Sequence, residues 1–198
     1  AYMPKISLTT FVDFTASAGS TRLTKVRRAK ADYGEDYSPQ KDFYKALREA
    51  IEESFEEGWS AAELKKKLSK VPDPKKKKNY EACRKGLTKW AGRQAFVFHP
   101  KQRASWKSGE LTVKVNPELD LSINGTRHRI KLYFKGEALS KSRVDVILHL
   151  LGSGSAKATP GVLDVRRSKL YTPTVARPGL DALVKAEAAA FSSLWQSI

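Results

Sequence analysis

Apolar residues recur at helical spacing through the first ninety positions and then switch to alternation. Ser7 precedes Leu8, Phe11, Val12 and Ala18, an N-cap and an apolar stripe that end at Gly19. Ser20 or Thr21 starts a second helix that carries Leu23 and Val26 among Lys25, Arg27, Arg28 and Lys30. Ser38-Pro39 predicts a third start, because proline suits the first helical position, and Phe43, Tyr44, Leu47, Ile51 and Phe55 follow as far as Gly58. Ser60 and Glu63 have capping-box spacing ahead of Leu64 and Leu68. Val71-Pro-Asp-Pro74 breaks that helix, and residues 75–91 resume with Tyr80, Cys83, Leu87 and Trp90.

Strand patterns take over at Gly92, over 94–99, 111–115, 118–123 and 127–135. Ser140 or Ser142 then caps an apolar helix from Val144 to Leu151, and Gly152-Ser-Gly-Ser155 makes a flexible connection. Residues 162–166 and 169–172 read as a strand pair, and Pro178-Gly179 opens a last helix. The order predicts an α+β fold: an N-terminal helical lobe, 1–92, packed on a mostly antiparallel β-sheet lobe, 93–198, with flanking helices. No long linker separates the two, so they are expected to form one compact unit.

The sharpest local signal is Asn124-Gly125, a dipeptide suited to the positive φ angles of a type I′ hairpin turn. With a two-residue turn, facing residues have numbers that sum to 249. Asp120 then faces Arg129, Glu118 faces Lys131 and Ser122 faces Arg127, all on one side of the hairpin. Leu119, Leu121, Ile123, Ile130, Leu132 and Phe134 share the other side with His128. One hairpin thus combines an oily face with a charged, net basic one.

Charge gives that face its interest. Thirty-seven basic residues against 21 acidic ones leave a formal net charge of +16, which points to a polyanionic partner, DNA or RNA. Arg127, Arg129, Lys131, Tyr133 and Lys135 make an alternating basic stripe with one aromatic ring, able to track phosphates while the ring stacks on a base. The competing reading is that the facing acids neutralise it, since such cross-strand pairs contribute about 0.2–1 kcal/mol each. Lys65–Lys67 and Lys75–Lys78 are two further basic runs, either phosphate contacts or solvated helix faces. No stretch reaches the roughly 20 apolar residues of a membrane span, so no membrane partner is expected. A lone Cys83 and the lack of an apolar leader core suggest a cytoplasmic setting.

From residue 75 onward the order helix, three strands, helix, strand resembles the core of the PD-(D/E)xK nuclease superfamily, over about half the chain. Asp120 stands where that family's first acid is expected, after Pro117-Glu118, and Lys131 where its lysine is expected. Arg129 replaces the acid two residues before the lysine. The resemblance implies a nucleic-acid-binding scaffold with a degenerate site. Its catalytic residues would be Glu118, Asp120 and Lys131, its metal ligands Glu118 and Asp120, and its cofactor Mg²⁺. Glu81 on the preceding helix is a candidate third oxygen. An active metal-dependent nuclease and a protein-interaction domain are the alternatives. The chain is also similar to uncharacterised bacterial proteins with the same Asn-Pro-Glu-Leu and Lys-Leu-Tyr-Phe-Lys segments, a likeness that implies no activity.

Two other groups stand out. Asp145 and His149 lie one turn apart on a helix, as a hydrogen-bonded pair or a shared proton or metal site. Glu187 falls on the apolar stripe of the last helix and needs a basic partner, for which Arg166 or Arg143 is expected.

Overall fold

The computed structural model describes residues 3, 5–34, 42–154 and 157–198. Most helix starts follow the capping chemistry of the sequence. Ser7 accepts the Thr10 N–H at 3.0 Å and opens α1 (Leu8–Thr15). This helix stops short of Ala18, and Gly19, at φ +52°, separates it from α2 (Ser20–Gly34). The Ser38-Pro39 start lies outside the described residues. Helix α3 (Lys45–Glu56) is preceded by Phe43 and Tyr44, and Gly58, at φ +87°, follows its end. Ser60 accepts from the Glu63 N–H to start α4 (Ala61–Ser69). The Asp73 carboxylate accepts from the Lys75 and Lys76 N–H groups at 2.8 and 3.2 Å, with Pro74 at the first position of α5 (Pro74–Ala91). Ser140 caps α6 (Lys141–Gly152), and Gly179, at φ +81°, leads into α7 (Leu180–Ser197).

Eight strands form two sheets among the described residues. The smaller sheet joins β1 (Lys5–Ser7), β4 (Leu111–Lys114) and β3 (Ser105–Ser108) in that order. The larger has the order β2 (Phe96–His99), β5 (Leu119–Ile123), β6 (Thr126–Tyr133), β7 (Thr159–Asp164) and β8 (Lys169–Tyr171). Four of the six strand pairings are antiparallel. The exceptions are β1 with β4 and β6 with β7, the second bridged by α6 as a crossover. The class is α+β, with N-terminal helices and sheets further along the chain. The division near residue 92 does not separate two units: β1 pairs with β4 across it, and α1 and α2 pack on α6 and α7.

Both faces of the larger sheet are covered. Leu119, Leu121, Ile130, Leu132 and Leu163 pack beneath α3, α4 and α5, with Leu47, Ile51, Leu64, Tyr80 and Leu87. Helix α5 lies so close to the turn between β7 and β8 that a Cβ at Gly86 would stand 2.0 Å from the Val165 carbonyl oxygen. Ser168 reinforces the contact by donating to the Gly86 carbonyl at 2.8 Å. On the opposite face, Val162 and Tyr133 meet α6 in a second core that includes Phe11, Phe14, Val113, Ile147, Leu151, Phe191 and Trp195.

Candidate nucleic-acid interface

The hairpin forms in the expected register. Asn124 and Gly125 adopt φ +49° and +89°, and Asp120 pairs with Arg129, Leu121 with His128 and Ser122 with Arg127. The charged face exists, yet it is not an open stripe. Arg129, 4% exposed, lies under the end of α6. There its Nη1 donates to the Leu151 carbonyl at 3.2 Å, a cation placed at a helix C-terminus, while its Nη2 is buried without a hydrogen bond. Burial lowers the pKa of its guanidinium. Asp120, 2% exposed, does not turn to the residue it faces. Both of its oxygens accept from Arg127, at 2.8 and 2.9 Å, one step diagonally along the ladder. The partially exposed arginine thus takes the buried carboxylate, and the buried arginine is left with a backbone carbonyl.

Glu118 is engaged to the same degree. One oxygen accepts from Lys131 Nζ and lies 3.8 Å from Arg48 Nε, and the other accepts the Leu132 N–H at 3.0 Å. The first of these is the cross-strand pair that the sequence register places opposite. These contacts count against a divalent cation at the Glu118 and Asp120 pair. A hard cation needs carboxylate oxygens that are free to converge on it, whereas all four oxygens here already serve arginine, lysine or backbone donors. Glu81 adds nothing, because it sits on α5, beyond the apolar face of the sheet, and pairs with Arg84 at 2.6 Å. Among the described residues no group of three or more His, Cys, Asp or Glu side chains is placed to hold a metal ion.

The outer end of the stripe has a different setting. Lys131, Tyr133 and Lys135 line a cleft of about 460 Å³ together with Arg28 of α2, Arg48 of α3 and Arg143 of α6. The acids in it are Asp13, Asp42 and Glu118. Asp42 binds Arg48 at 2.8 Å; burial pushes its carboxyl up, but the arginine's hydrogen bond and charge outweigh this and leave its pKa lowered. Asp13 holds Arg143 at 2.7 Å and Lys135 more loosely at 3.8 Å. Tyr44 stacks on Phe134 at 5.2 Å on the cleft wall. Sequence reasoning singled out neither Asp13, Asp42 nor Arg48 and read Tyr44 only as part of a helix stripe, since the contacts that assemble the cleft join residues up to 130 positions apart.

The two other sequence candidates resolve into separate contacts. Asp145 is bound by Arg177, and His149 meets Asp181 at 3.1 Å instead of its helical neighbour. Glu187 does have a basic partner, but it is Arg22 of α2, at 2.5 Å, and not Arg166 or Arg143. Arg166 is used within the fold, donating to the Phe134 carbonyl and to Asn79.

The corner where α4 turns into α5 behaves differently from all of these. Residues 61–79 carry eight lysines against two acids, six of the sixteen net charges in 19 positions. Lys65, Lys66, Lys70, Lys75, Lys77 and Lys78 are exposed. Among the described residues no carboxylate lies within ion-pair distance of them, in contrast to Lys67, which Glu53 and Glu57 neutralise at 3.0 and 3.1 Å. One of the two acids, Asp73, is spent on the α5 cap.

No protein-family model matches the chain, and no curated protein matches it. No helix among the described residues is long and apolar enough to cross a membrane.

Proposed function

We propose that the protein binds nucleic acid, without strong sequence preference, through the lysine-rich corner between α4 and α5. The observation that carries this reading is the set of six exposed lysines that lack acidic partners among the described residues. A cation already paired to a carboxylate must give up that pair to meet a phosphate. An unpaired surface lysine gives up only water and gains the entropy of released counterions. The hairpin supplies a smaller share of the contact area than its sequence suggests, through Arg127, Lys131 and Lys135, because Arg129 is enclosed.

Binding and cleavage separate on this reading. Phosphodiester hydrolysis assisted by Mg²⁺ needs free carboxylates, and Glu118 and Asp120 are committed to internal partners. The test is a titration of labelled single- and double-stranded DNA and RNA at several salt concentrations, with and without Mg²⁺. The expected result is binding that weakens steeply with salt and leaves the strands intact. Absence of any complex at low salt refutes the reading, and metal-dependent cleavage lost in Asp120→Ala refutes its non-catalytic part.

A further inference from the structure

We infer that the cleft between α2, α6 and the end of β6 holds a terminal phosphomonoester of a nucleotide. This rests on the nucleic-acid reading above and assigns the cleft a role distinct from that of the lysine corner. Three features support it. First, its cations come from separate elements and line one cleft: Arg28 from α2, Arg48 from α3, Lys131 from β6, Lys135 just beyond β6, and Arg143 from α6, five against the three acids that hold Arg48, Lys131 and Arg143 in place. A phosphodiester backbone, with one charge per unit, is matched by cations spread along a line. A doubly charged terminal phosphate is matched by cations gathered around one point.

Second, one of those cations has no acidic partner and another is only loosely held. Arg28 is exposed and forms no ion pair among the described residues, and Lys135 meets Asp13 at 3.8 Å, an ion pair without a hydrogen bond. Asp13 meanwhile fixes Arg143 at 2.7 Å and keeps its guanidinium in the cleft. Third, aromatic rings line the same cleft. Phe43 and Tyr44 pack edge to face at 4.9 Å, and Tyr44 is itself stacked on Phe134. That gives a nucleobase a rigid surface beside the cationic cluster. A volume of about 460 Å³ falls in the range of small-ligand sites, roughly 300–1,000 Å³, so one nucleotide fits where a duplex does not. Lys76 lies over the Phe43 ring at 5.9 Å, which sets the start of α5 beside a residue that lines the cleft.

The experiment compares one short single strand in three forms, with a 5′ phosphate, with a 3′ phosphate and with hydroxyls at both ends. A free nucleoside monophosphate serves as competitor. The expected result is that one phosphorylated form binds roughly ten- to a hundredfold more tightly than the unphosphorylated strand, as one or two added charge-assisted hydrogen bonds predict. Arg28→Gln with Lys135→Gln should abolish that preference, and Lys75→Gln with Lys77→Gln should weaken all three strands alike and keep the ratio. Equal affinity for all three forms overturns this inference and leaves the nucleic-acid reading standing. Binding of the monophosphate with no binding of any strand overturns the nucleic-acid reading and supports the cleft assignment. A phosphate preference that survives the Arg28 and Lys135 changes places the site elsewhere and also overturns the inference.

Discussion

Replacing Glu118 by alanine separates an internal tie from a metal ligand. In the structure this carboxylate, 6% exposed, receives Lys131, lies within 4 Å of Arg48 and accepts the Leu132 N–H. Its removal leaves that N–H without a protein acceptor, at about 1–3 kcal/mol. It also leaves two half-enclosed cations facing each other, with Arg48 still held by Asp42. Breaking a buried ion pair from one side typically costs about 3–5 kcal/mol in total. For a chain of this size about 2–4 °C is lost per kcal/mol, so a drop in Tm of about 6–20 °C is expected. Glu118→Gln should recover part of the loss, because its amide oxygen still accepts from Leu132. Thermal and urea unfolding of both variants beside the parent measure this directly. A surplus metal-ligand carboxylate behaves in the opposite way, since its loss relieves repulsion. A Glu118→Ala protein as stable as the parent, or more so, refutes the reasoning.

Two further outcomes follow from packing and burial. Gly86→Ala should destabilise by several kcal/mol or prevent folding, since its methyl meets the backbone of Val165 and Arg166 and not a movable side chain; near-parental urea unfolding would refute the close approach. Burial pushes the Cys83 thiol up from 9.0 to about 11. Folded and unfolded chains both hold this proton below pH 9. Between pH 9 and 11 only the unfolded chain loses it, so stability falls by about 3 kcal/mol over that window. Cys83→Ala removes this component, and the difference between the two urea-midpoint profiles from pH 8 to 11 measures it; a flat difference contradicts the burial.

Much of the fold was legible because its signals are local. A capping serine or an Asn-Gly turn acts within four residues, and Ser7, Ser60, Ser140 and Asn124 each do what their neighbours demand. Strands β1 and β3 were missed for the opposite reason. Lys5–Ser7 and Ser105–Ser108 each bury a single residue, Ile6 and Trp106, so no apolar alternation marks them, and both pair with β4, one of them more than a hundred positions away. The charged hairpin shows the same divide. Register was readable from the turn, but accessibility was not, because α6 returns over that face and encloses Arg129. Pairing followed suit: Asp120 chose the diagonal Arg127 once Arg129 was drawn toward the Leu151 carbonyl. Glu187 announced its need for a cation without revealing which one, since Arg22 comes from a helix 165 residues earlier.

The proposed binding surface is tested most directly by the salt dependence of affinity for a random-sequence duplex, measured for the parent and for a Lys75→Gln, Lys77→Gln, Lys78→Gln protein. Each duplex phosphate neutralised contributes about 0.9 to the slope of log affinity against log salt. The triple variant should therefore bind more weakly, with a slope shallower by about 2–3. An unchanged slope, with affinity lost instead on changing Arg127, would return the contact to the hairpin and contradict the account.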